Sequence, residues 1–96
     1  MVYKIIVSPR AQVEISQAID FYSLHSVDAP NNFIVQLAKA YEILTISPFF
    51  RMHYKNVRAL KLKKFPHSLY YVIDENQERV RVLSCFHNKR NPKKHP

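Results

Sequence analysis

The chain has 96 residues, 47% hydrophobic and 12% aromatic: enough for one packed core, too short for two domains, and too apolar for disorder. Fifteen Lys and Arg against seven Asp and Glu give a formal net charge of +8, a balance that attracts phosphate backbones and acidic proteins. Glycine is absent and there is one cysteine, Cys85. That excludes Gly-rich phosphate-cradling loops and any internal disulfide, and it makes a reducing compartment the expectation.

The N-terminus, Met1-Val2-Tyr3-Lys4, carries no signal-peptide pattern, and no apolar run reaches the length of a membrane span. A cytoplasmic protein with no membrane contact is therefore expected. Residues 2–7 are β-branched and aromatic and predict a first strand. Ser8 is placed to cap a helix that Pro9 opens. Ala11, Ile15, Ala18, Ile19 and Tyr22 then recur at helical spacing, to about His25. Residues 26–30 form a link, with Asp28 or Ala29 as cap and Pro30 in the first turn. A second helical stripe, Phe33, Leu37, Ala40, Tyr41 and Leu44, ends near Ile46 before Ser47-Pro48. Two such helices joined by a short link predict an αα-hairpin.

Beyond this the period drops to two. Leu60 and Leu62 alternate with Lys61 and Lys63, which predicts a half-buried strand. Leu69, Tyr71 and Ile73 alternate with Tyr70 and Val72 in the next strand. Residues 74–78 are polar and fit a hairpin loop. A last strand follows, with Val80, Val82 and Phe86 on one side and Arg81, Leu83 and Cys85 on the other. The expected fold is α+β, in the order β-α-α-β-β-β. An N-terminal helical hairpin packs on one face of a mainly antiparallel four-stranded sheet, and the first strand joins an edge. Residues 1–96 make a single domain, with residues 88–96 as a basic tail expected to fray.

Candidate chemistry is mostly cationic. Arg58, Lys61, Lys63 and Lys64 lie close together, and alternation sets Lys61 and Lys63 in one positive row. Edge lysines also block aggregation, so such a row serves solubility equally well. The tail, with Lys89, Arg90, Lys93 and Lys94, suits an anionic surface. His87 ends a strand, and an imidazole's ordinary pKa near neutrality suits proton transfer, although a hydrogen-bonded structural histidine fits it better. The five histidines are scattered without metal-ligand spacing, so no metal is expected. Glu14 and Asp20 are poorly aligned on their helix, and Cys85 reads as a small buried hydrophobe.

Taken in order, these residues resemble the RelE/ParE toxin superfamily, and its ParE-like (plasmid stabilisation) branch in particular. The resemblance rests on Tyr3-Lys4-Ile5-Ile6-Val7-Ser8-Pro9-Arg10-Ala11, on Ala18-Ile19-Asp20-Phe21-Tyr22, on Val57-Arg58-Ala59-Leu60 and on Lys64-Phe65-Pro66-His67-Ser68-Leu69-Tyr70-Tyr71. It closes on His87-Asn88-Lys89-Arg90-Asn91-Pro92, similar to the family's H-x-x-R-x-P ending.

The resemblance implies the toxin of a bacterial type II toxin–antitoxin pair, neutralised by an acidic antitoxin, with no cofactor. ParE-like members bind DNA gyrase, whereas RelE-like members cut messenger RNA in the ribosome. The partner-binding residues it suggests are Arg58, Lys61, Lys63, Lys64, Arg81, His87 and Arg90. If the protein is a ribonuclease, the catalytic candidates are Arg58, Lys61, Lys63, Arg81 and His87. RNA-cutting relatives usually carry Arg where this chain has Ser68, which weakens that reading. A toxin that retains only antitoxin binding is the third alternative.

Overall fold

The computed structural model describes residues 2–88. Its elements run β1 (Lys4–Val7), α1 (Pro9–Ser23), α2 (Ala29–Ile46), β2 (Met52–Tyr54), β3 (Val57–Lys61), β4 (His67–Asp74) and β5 (Arg79–His87). They form one sheet in the order β1-β5-β4-β3-β2. β3, β4 and β5 are the expected antiparallel meander, and β1 pairs in parallel with β5. The helical hairpin lies on one face, as predicted. The short β2 is an addition: it pairs antiparallel with β3 and extends the sheet to five strands.

Local chemistry sets the joints. The Ser8 hydroxyl accepts from the Ala11 N–H at 3.1 Å, which caps α1, and Pro9 opens the helix. The same hydroxyl donates to the Leu83 carbonyl at 3.0 Å, and the Ser8 N–H donates to Val82 at 2.9 Å. One residue thus ends β1, starts α1 and ties both to β5. Asp28 precedes α2 without making a side-chain cap bond. Since the chain lacks glycine, the left-handed positions among the described residues fall to Lys55, Lys64 and Glu78, at φ 49°, 69° and 53°; each costs some backbone energy in a non-glycine residue.

The core lies between hairpin and sheet. Phe33, Leu37, Ala40 and Leu44 of α2 and Ala11 and Ala18 of α1 pack on Leu69, Tyr71, Val80, Val82 and Cys85. The Tyr71 hydroxyl is buried and donates to the Pro48 carbonyl at 2.6 Å, which satisfies a polar group that would otherwise be costly there. One reading is corrected by the pairing. The sequence set Phe86 beside Val80 and Val82 with Cys85 opposite, whereas Cys85 joins the core and Phe86 does not. A register shift between Tyr70 and Tyr71, where Leu83 is the unpaired residue of β5, reverses the alternation. The basic tail, including Arg90, lies outside the described residues apart from Asn88. Among the described residues no helix is long and apolar enough to cross a membrane.

Candidate partner-binding face and histidine groove

Alternation along β4 sorts the side chains. Leu69 and Tyr71 enter the core, so Ser68, Tyr70 and Val72 point away from the helices. Register carries this across the sheet. Lys61 stands opposite Ser68, which stands opposite Phe86. Arg81 stands opposite Val72 on one side and Ile6 on the other. Lys4, Arg79 and Asp74 form the next row.

The face away from the helices therefore carries exposed Lys4, Lys61, Arg79 and Arg81 around half-buried Ile6, Val72 and Phe86. Tyr70 is buried on it and meets Phe86 edge-on, with ring centres 6.3 Å apart. Lys4 was missed in the sequence because only the parallel pairing of β1 with β5 brings it beside Arg79 and Arg81, whereas Arg79 shares the face of Arg81 by simple alternation along β5.

The other candidates fall elsewhere. Arg58 stands opposite Tyr71, on the helix side. Its Nη1 donates to the Phe50 carbonyl at 2.7 Å and its guanidinium sits 5.4 Å from the centre of the Phe49 ring. It therefore clamps the segment after α2. Lys63 does not share a strand row with Lys61: β3 stops at Lys61, and Lys63 and Lys64 form a turn in which Lys64 is left-handed. Ser68 is buried and donates to Asn88 Oδ1 at 2.7 Å.

His87 is on the helix side, paired across the strands with His67. The two ring centres are 5.0 Å apart. His67 is buried at 6% exposure, and its Nδ1 lies 3.3 Å from the Tyr22 hydroxyl of α1. Rings of Tyr22 and Phe33 also stand against it at 5.8 and 5.4 Å. Both histidines line a groove of about 1210 Å³ between α1 and the end of β5, together with Glu14, Asp20, Phe21 and Leu24.

Glu14 holds this groove's floor. Its Oε1 accepts from the Ser84 hydroxyl at 2.6 Å and from the Cys85 N–H at 3.2 Å, and Arg10 lies 3.6 Å from Oε2. Burial, with the Glu14 carboxylate as a second cause, pushes the Cys85 thiol up to about 12. Cys85 is accordingly a protonated core residue, not a nucleophile. Among the described residues no group of three or more His, Cys, Asp and Glu could hold a metal ion.

No protein-family model matches the sequence, and no curated protein matches it significantly. Solved structures do match. A chain of the chromosomal ParDE system from P. aeruginosa superposes with a TM-score of 0.70 at 13% identity, covering 90% of this chain and 96% of that one. A chain of a RelBE toxin–antitoxin complex from Mycobacterium tuberculosis gives 0.64 at 15% identity, covering 91% and 99%. A mutant of the E. coli toxin RelE in the free state gives 0.68 at 18% identity, covering 96% and 90%. The helical hairpin, the meander and the parallel first strand together are thus the fold of the RelE and ParE toxins.

Proposed function

We propose that this protein is the toxin of a bacterial type II toxin–antitoxin pair, of the ParE-like kind. It acts by binding a DNA-processing target such as DNA gyrase, and an acidic antitoxin holds it inactive. The fold supports the toxin reading, because the matching structures are a free toxin and chains of toxin–antitoxin systems. The cationic face supports an acidic partner: oppositely charged surfaces speed encounter and offset part of the ordering cost of a flexible chain.

One observation favours binding over phosphodiester cleavage. Cleavage needs cations and an acid–base group converging on one phosphate. Here Lys61 and Arg81 face away from the helices, whereas Arg58 and His87 face them. Even on the shared face, Lys61 and Arg81 stand two strands and four residues apart, roughly 10 Å across and 13 Å along the sheet. His87 instead looks into a groove that holds the carboxylates of Glu14 and Asp20, which repel a phosphate.

The test is direct. Purified protein is added to a gyrase supercoiling assay and, separately, to a translating extract. Inhibited supercoiling with intact message supports the proposal. Message cleavage that disappears in His87→Ala overturns it in favour of a ribosome-dependent ribonuclease, and no effect in either assay with tight antitoxin binding overturns it in favour of an inactive toxin.

A further inference from the structure

The groove between α1 and the end of β5 has an occupant within reach: we propose that it docks the chain's own basic segment, residues 89–94. The proposal needs only the fold and stands apart from the toxin reading.

Position is the first argument. Glu14 of α1 accepts from the Cys85 N–H, and Tyr22, later in the same helix, reaches His67, which stands opposite His87. β5 therefore runs alongside α1 in the same direction and ends beside its last turns. Asn88 fixes that exit. Its N–H donates to the Pro66 carbonyl at 2.7 Å, and its Oδ1 accepts from the Ser68 hydroxyl at 2.7 Å. Residue 89 thus starts at the mouth of the groove. Six extended residues reach about 20 Å, and the groove's helical wall from Glu14 to Leu24 is about 15 Å long.

Charge then selects between the two surfaces that Asn88 borders. On the sheet side Lys61 stands opposite Ser68, and Lys63 and Lys64 are exposed in the turn just before Pro66. Those cations repel a segment that carries Lys89, Arg90, Lys93 and Lys94. The groove side carries carboxylates. Glu14 is committed to Ser84, Cys85 and Arg10. Asp20 is exposed, and its carboxylate makes no ion pair among the described residues. α1 also has no basic residue in its last turn, so the negative end of its dipole lacks the cation that favours it. Each such contact is weak in water. A short tether holds the segment at millimolar effective concentration, which lets weak contacts add up.

The groove's apolar lip fits the same occupant. Phe21 and Leu24 are exposed by 51% and 84% and line the groove. Lys and Arg lay their aliphatic stems on such surface while their charged heads stay in water, and a guanidinium stacks on an aromatic ring such as that of Phe21. Pro92, between Arg90 and Lys93, adds a rigid apolar ring. A run of cations with a proline at its centre therefore complements carboxylates rimmed by apolar side chains.

A spin label on the full chain at His95→Cys tests this by NMR and leaves the four cations in place. Cys85 is buried and keeps its proton, so the new thiol alone takes the label. Amide signals of residues 17–24 should weaken about twofold or more relative to those of residues 61–64, on the sheet side of Asn88. Asp20→Lys should shrink that difference, and so should about 0.5 M salt. The substitution changes an exposed side chain, so the fold is kept. Equal weakening on the two sides, or stronger weakening at residues 61–64, overturns the proposal. A difference that neither the substitution nor salt reduces also overturns it, since the bias would then owe nothing to charge.

Discussion

Burial sets the chemistry of the single cysteine. Its thiol is raised from an ordinary 9.0 to about 12, so at pH 8 only about one molecule in ten thousand carries the reactive thiolate. Labelling of native protein by a thiol reagent at pH 8 should therefore proceed through transient unfolding, and urea should accelerate it by orders of magnitude. A native rate close to that of free cysteine would contradict this. The same shift has a stability consequence. A thiol raised in the folded state costs nothing below about pH 9, where both states keep the proton. Above it the unfolded chain ionises first, so stability is lost as pH climbs toward 12. Tyr41, raised from 10.0 to about 12 chiefly by burial, acts in the same direction. Glu14 supplies a second residue-scale prediction. Glu14→Ala leaves the buried Ser84 hydroxyl and Cys85 N–H without their acceptor and should cost about 1–3 kcal/mol in urea unfolding. A loss below ~0.5 kcal/mol, the size of an ordinary surface substitution, would remove Glu14 from the fold's supports.

At the scale of elements, Ser8 shows how local signals become architecture. It caps α1, and its hydroxyl and N–H reach Leu83 and Val82 of β5. Ser8→Ala should destabilise by about 1–2 kcal/mol, near the upper end for a lost N-cap, while Ser8→Thr retains most of it; equal losses for the two, read from thermal unfolding, would point to packing instead. Both helices and the three meander strands were legible because their apolar periods of 3.6 and 2 persist over many residues. β2 was not: Met52–Tyr54 is three residues long, too short for a period, and forms against β3. The histidine groove was hidden for a subtler reason. Counting back from the turn pairs Asp74 with Arg79 and would set His67 opposite Phe86. The shift at Tyr70/Tyr71 moves every later pair by one and brings His87 to His67. The same slip separates His87 from Lys61 and Arg81, cations with which the sequence grouped it. Lys61 and Arg81 were legible as exposed cations, whereas the clamp made by Arg58 depends on a segment eight residues away that comes close only after folding.

For the whole molecule, charge is unevenly placed. Lys4, Arg79 and Arg81 gather on two adjacent rows of the face away from the helices, with Asp74 the one acid in those rows. The groove beneath α1 carries Glu14 and Asp20 instead. An acidic partner should therefore be steered to the sheet side, and its association should slow steeply with added salt, since exposed charges are screened over about 8–10 Å near physiological ionic strength. Reversing a charge tests which face is responsible. Arg81→Glu should lower the association rate with the proposed acidic antitoxin about tenfold and flatten its salt dependence, with a smaller change in dissociation. Lys39→Glu changes net charge by the same amount on exposed α2 and should leave both nearly intact. If the two reversals slow association equally, the partner responds to net charge alone and the sheet face has no special part in capture. If neither does, and salt has no effect, recognition rests on apolar contact rather than on charge.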